Sequence, residues 1–150
     1  MRLSEAIWLI WEDIHLDHET LHISLKPHPW RRLKTAGSER LIPLVGGSLA
    51  AVKVMHRQST TQFLFPSCAN EIEFEGNSCS ASFNNRLKQY VPDAVIHSFR
   101  HSFHDRLRNA GVESEMIDQL SGWSRKTVGQ GYGDGFALPI LYNQTLSLKN

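Results

Sequence analysis

The chain has 150 residues, 41% of them hydrophobic and 21% charged, with a formal net charge of +1. That is the balance of one soluble globular domain, long enough to bury a sizeable core. The longest apolar run falls far short of the roughly 18 residues a membrane span requires. Acidic residues from Glu5 onward, without a small-residue cleavage site, exclude a signal peptide and leave the cytoplasm as the expected location.

Residues 3–11 predict a short helix, with Ser4 as a candidate cap and Leu3, Ile7, Ile10 and Trp11 at helical spacing. From 13 to 44 the period changes to two. Ile14 and Leu16 alternate with polar neighbours, Asp17-His18-Glu19 reads as a turn, and Leu21, Ile23 and Leu25 alternate again. After a Pro-rich, basic stretch comes Arg40-Leu41-Ile42-Pro43-Leu44, with Pro43 assigning it to a sheet edge or a strand end. Three short antiparallel strands are expected, with Lys34 in or beside the turn ahead of Gly37.

Residues 48–58 predict a helix capped by Ser48, with Leu49, Val52 and Met55 or Val54 inward. Residues 63–66 are a short extended piece and 67–77 a loop. A helix then runs from Ser78 or Ser80 to Tyr90, burying Phe83, Leu87 and Tyr90, and Pro92 ends it. A helix over 98–110 stops at Gly111, and one over 113–121 turns Met116, Ile117 and Leu120 inward before Gly122. Ser124 to Gly131 reads as a weak helix or loop, and 137–148 as a last helix burying parts of Leu138, Leu141, Leu146 and Leu148. The fold class is α+β, mostly helical, with a small three-stranded antiparallel sheet near the N-terminus.

Cys68 and Cys79 are too few for a disulfide scaffold and are expected as free thiols, with no Cys or His partner at zinc spacing. His15, His18 and His22 straddle a strand turn and are expected in solvent. Lys26, Arg31, Arg32, Lys34 and Arg40 crowd one segment, and Arg100, Arg106 and Arg108 another. A local basic surface of that kind is compatible with DNA, and equally with ordinary solvated faces.

The chemistry concentrates in HSFRHSFHDRLRNAGVESEMIDQLSGWSRKTVGQGY, residues 97–132. His97 and Arg100 lie at the start of a helix, Trp123 follows Gly122, and Tyr132 stands between Gly131 and Gly133. Cleaving a phosphodiester is an electrostatic problem, because charge gathers on the non-bridging oxygens in the transition state. Arginine suits it, being permanently charged and offering a planar fork of donors. A tyrosine phenol can attack and store the bond energy as a phosphotyrosine. Its reference pKa of about 10 leaves roughly one phenol in a thousand ionised at pH 7, so a base or a positive neighbourhood must help. The leaving oxygen needs a proton, which a lysine near arginines can give. Singly, each residue has a plainer reading: Arg2 a frayed terminal charge, Lys34 a turn lysine, Trp123 a core aromatic, Tyr132 a loop tyrosine. His97, His101 and His104 share a helix face but lack the HExxH glutamate, so no metal is expected.

Taken in order, these residues resemble the catalytic domain of the tyrosine recombinase (phage integrase) family. MRLSEAIWLIWEDI resembles the box carrying the family's first arginine, at Arg2, and LKTAGSERLIPL the hairpin carrying its lysine, at Lys34. HSFRHSF supplies His97 and Arg100, LSGW places Trp123 where histidine is commoner, and GQGY supplies Tyr132. Trp123 stands 23 positions after Arg100, and Tyr132 stands 9 after Trp123. Type IB topoisomerases share the chemistry, but the small domain and the LSGW and IPL contexts look like integrases.

The resemblance implies an integrase-type catalytic domain over 1–150 that recombines double-stranded DNA through a covalent 3′-phosphotyrosine. Arg2, Arg100 and Trp123 would bind the scissile phosphate, Lys34 would act as general acid, His97 as base or hydrogen-bond partner, and Tyr132 as nucleophile. His101 and Ser102 would pack behind the site. No cofactor or metal is implied, and the partners are DNA and other protomers, four on DNA for a full-length protein. The family's DNA-clamp domain and the helices before the first arginine find no counterpart here. The chain is therefore expected to be partial, with weak DNA affinity and little recombination alone. A DNA-binding remnant and a self-association module built on the last helix are the competing readings. Glycines 129, 131, 133 and 135 each disfavour helix by about 1 kcal/mol against Ala, so the tyrosine segment is expected to order only on DNA or a partner.

Overall fold

A computed structural model describes residues 1–35, 38–69, 76–123 and 135–149. Six α-helices and a three-stranded sheet are found among them. Helix α1 spans Leu3–Ile7, and a 3-10 turn follows at Trp11–Asp13. The expected helix over 3–11 is therefore shorter, because Ile10 leaves it in extended conformation to bridge Phe63.

The sheet is a meander of β1 (Ile14–His15), β2 (His22–Leu25) and β3 (Arg40–Pro43), all antiparallel. Ile23 pairs with Ile14 on one side and Ile42 on the other, and Pro43 sits opposite His22 on an edge strand, as its missing N–H requires. Ile23 and Leu25 pack with Leu9, Leu44, Val52 and Leu64 in one core cluster. On the other face His22 is buried, not solvated as expected. Its ring stacks on His15 at 4.5 Å, and its Nδ1–H donates to the Thr20 carbonyl at 2.7 Å.

Helix α2 runs Gly46–Gln58, two residues earlier than expected. Ser48 is not its cap, since the hydroxyl donates back to the Val45 carbonyl at 2.7 Å. Val52 is buried, while Val54 is exposed. Helix α3 spans Gly76–Lys88. It half-buries Phe83 and Leu87, but Tyr90 lies beyond its end and is 72% exposed, against expectation. Residues 70–75 of the expected loop fall outside the described residues.

The cysteines correct another expectation. Cys68 and Cys79 form a disulfide, with an S–S distance of 2.08 Å and Cα atoms 5.8 Å apart. Both are buried in a cluster with Ile7, Ile10 and Phe63, where the turn at 65–69 packs against α3. Folding brings the two sulfurs together from positions 11 apart, which spacing alone does not reveal.

Helices α4 (Ser98–Asn109), α5 (Ser114–Ser121) and α6 (Leu138–Leu146) build the third cluster, from Leu107, Val112, Met116, Ile117, Leu120 and Leu141. Gly111 at φ +74° ends α4 as expected. Helix α6 covers its own chain's core through Leu141, and Arg106 donates to the Leu148 carbonyl beyond it. Among the described residues no helix is long and apolar enough to cross a membrane.

Candidate active site

Arg2 precedes α1 and is held there by Glu5, one helical turn on. The Glu5 carboxylate accepts from the Arg2 backbone N–H and from Nη1, both at 2.7 Å. A carboxylate at a helix start satisfies an amide that the helix leaves unpaired and suits the dipole. Arg2 Nη1 also donates to Ser38 Oγ at 3.1 Å, so the residue is not a frayed end.

His97 and Arg100 come from the start of α4. Asn84 on α3 fixes that entry, its Oδ1 accepting from the Ile96 N–H at 2.7 Å. The N–H groups of Ser98, Phe99 and Arg100 are spent on turn bonds to Val95, Ile96 and His97. The helix end thus contributes field rather than donors. Arg2, His97 and Arg100 line one cavity of about 480 Å³, with Ser80 and Asn84 of α3 at its wall.

Arg100 carries the clearest signal. Its Nη1 and Nη2 are buried without a hydrogen-bond partner among the described residues. Such a group is costly to leave unmade. Its pKa is lowered by burial first and then by Arg2 and Arg40, with Glu5 opposing. The Met1 amino group beside it is pushed down to about 5, again by burial first and then by Arg40 and Arg100. Around Arg100, three guanidinium groups are set against one carboxylate, a surrounding that suits an anion.

Trp123 joins from α5. Gly122 takes φ +65°, and the Trp123 N–H then reaches back to the Asp118 carbonyl at 3.0 Å, closing the helix in a Schellman turn. The indole comes to rest with Arg100 Cζ 5.5 Å from its ring centre and His104 4.6 Å away on centroids. A cation over an indole face is attracted by its quadrupole. Lys34 is exposed in a bend whose neighbour Thr35 shares a 3.0 Å hydrogen bond with Ser38, the residue that receives Arg2. Tyr132 and the segment 124–134 lie outside the described residues, so the expectations about the attacking phenol and its glycines lie there too.

Two further expectations change. His101 and Ser102 are exposed rather than packed behind the site, and the His101 ring meets that of His97 at 4.9 Å. The basic segment is also not one surface, since Arg31 and Arg40 are buried and ion-paired to Asp13 and Glu5. Glu5, Ser38 and Asn84 escaped the sequence reading. Glu5 left a trace, an acid three positions after an arginine, whereas Ser38 and Asn84 act across the fold and left none. Among the described residues no group of three or more His, Cys, Asp or Glu could hold a metal ion.

A model of the phage integrase family matches residues 1–135, a span that takes in every element from Arg2 through Trp123. No curated protein and no solved structure matches the chain. The chain therefore belongs to the phage integrase family, whose work is site-specific DNA recombination.

Proposed function

We propose that this chain cleaves and rejoins DNA strands through Tyr132, with the scissile phosphate held at Arg100. The observation that carries the reading is the buried Arg100 fork, unpartnered among the described residues, on a residue that lines the same cavity as Arg2 and His97. A phosphodiester would supply the missing acceptors and offset the crowded positive charge. Arg2 and the Trp123 indole complete the clamp. Two carboxylate bonds and one hydroxyl bond already hold Arg2 before any DNA arrives.

In the proposed step the Tyr132 oxygen attacks phosphorus, a P–O bond to tyrosine forms, and the P–O5′ bond breaks. Lys34 protonates the departing 5′ oxygen, and His97 takes up the proton that the attacking phenol loses. Religation runs the same step backwards with a 5′-hydroxyl as nucleophile. DNA duplexes are the substrate, and other protomers bound to the DNA act on the remaining strands. The chain belongs in the cytoplasm on this reading, where the DNA is.

Incubation with a library of nicked duplexes randomised across the binding length tests the proposal. A covalent protein–DNA species resistant to denaturant is expected from the native chain, and none from Tyr132→Phe. Retained DNA binding with no covalent species in either would establish a binding remnant instead.

A further inference from the structure

We propose that Arg40 is a positioning residue, locking the segments that carry Arg2, Lys34 and Trp123 into one frame around Arg100. The inference rests on the phosphate-clamp reading above for its consequence, but on the fold alone for its geometry.

Arg40 opens β3 and is 8% exposed. Each nitrogen of its fork serves a different segment. Nη2 donates to Glu5 Oε2 at 3.2 Å, the carboxylate oxygen that also receives the Arg2 backbone N–H. Nη1 donates to the Ser38 carbonyl at 2.5 Å, closing the turn beside Lys34. Nε donates to the Leu120 carbonyl at 3.2 Å, one of the carbonyls that the end of α5 leaves free, three residues before Trp123. One planar group therefore joins α1, the β2–β3 connection and the end of α5. A lysine has one ammonium and no such fork.

The seat for this fork is Gly122. A Cβ built there would lie 2.5 Å from Arg40 Cζ and 3.0 Å from Nε, and closer still to Nη1. Gly122 thus has two duties. Its φ of +65° aims Trp123, and its bare Cα admits the guanidinium. The pair couples residues 82 positions apart in sequence.

The experiment is a double-mutant cycle on the whole chain, with Arg40→Lys, Gly122→Ala and the double variant. Arg40→Ala is avoided because it removes one of the two arginines paired to the buried Glu5 and empties a buried site. The arginine Nε–H signals of the ¹⁵N-labelled chain are followed during titration with inorganic phosphate at constant ionic strength. Folding of each variant is checked by its thermal melt. Wild type is expected to show a saturable phosphate shift at Arg100. Both single variants are expected to weaken it about tenfold, or about 1.4 kcal/mol. In the double variant the added methyl meets a slimmer side chain, so the loss should be no greater than for Arg40→Lys alone. Strain at φ +65° without any role for Arg40 would instead add in full on both backgrounds.

Folded single variants that bind phosphate as wild type does, or losses that simply add, would overturn the positioning role. The anion reading fails separately, if wild type shows no phosphate shift at Arg100. The frame then still stands if Gly122→Ala moves the Arg2 and Trp123 signals, and falls if they stay in place.

Discussion

At the scale of single residues, two arginines show opposite uses of the same group. Arg31 is 1% exposed and fully partnered. Its fork meets both oxygens of Asp13 at 2.7 and 3.1 Å, and the carbonyls of Lys26 and Trp8 take the rest. Asp13 also accepts from His28 Nε2 and the Ile10 N–H, so a carboxylate with no exposure has every lone pair engaged. Removing one partner from such a pair leaves the other charge buried alone, at about 3–5 kcal/mol. Asp13→Asn is expected to lower urea-unfolding stability by that much. A loss under 1 kcal/mol would show that water reaches the pair. Arg100 runs the other way. Its fork is buried, crowded by like charge and unpartnered among the described residues. Arg100→Met keeps an unbranched apolar stem at the position and removes the stranded donors. It is expected to raise stability by about 1 kcal/mol while abolishing covalent trapping on nicked DNA. A variant that is both less stable and still active would contradict the assignment of the fork to substrate.

At the scale of elements, period and punctuation explain most of what was legible. The alternation through 14–25 and 40–44 placed the three strands. Gly111 and Gly122 marked the ends of α4 and α5 because only a left-handed residue lets the last carbonyls find partners. Misread positions have local causes. Ser48 prefers the Val45 carbonyl, and Tyr90 falls past the last turn of α3. The disulfide was illegible because the turn at 65–69 meets α3 only in the folded chain. Closing a loop of 11 residues restricts the unfolded ensemble by about 3 kcal/mol on the chain-entropy model. Cys68→Ser with Cys79→Ser should therefore lower stability by about that amount, as should dithiothreitol for the native chain. An unchanged denaturant midpoint under dithiothreitol would mean the sulfurs are not bonded. On α6, Leu141 is 1% exposed and joins Leu107 and Leu120. Leu141→Ala is expected to cost about 2–5 kcal/mol by urea unfolding, since the cavity cannot close between three helices. A negligible cost would return α6 to the role of a loose arm for a neighbouring subunit.

For the molecule as a whole, the candidate residues were legible as types and spacings, but what holds them was not. His97, Arg100 and Trp123 sit within one 27-residue stretch, so local geometry aims them. Their supports are non-local: Glu5 reaches Arg40 across 35 positions, and Arg40 reaches Leu120 across 80. No periodicity carries such pairs. The supports also set how the fold answers pH. Glu5 and Asp13 lie in sites where burial alone would raise their pKa values, yet hydrogen bonds and nearby arginines bring both below their ordinary 4.5 and 3.8. His22 is lowered from 6.5 by burial and then by His15 and His18, against the Thr20 bond, and the Met1 amine falls from 8.0 to about 5. Each of the four binds fewer protons folded than unfolded, so stability rises with pH wherever they titrate. Descending from pH 8, the amine is the first to withdraw its contribution, His22 follows below 6.5, and the carboxylates follow below 4.5 as the pH passes toward their folded values. The urea midpoint is expected to decline at every step between pH 8 and 3. His22→Gln should flatten the decline between 6.5 and 5 while leaving the acid limb intact. A midpoint that climbs as acid is added would mean these groups gain protons on folding, and the buried network would then have to be neutral rather than ionic.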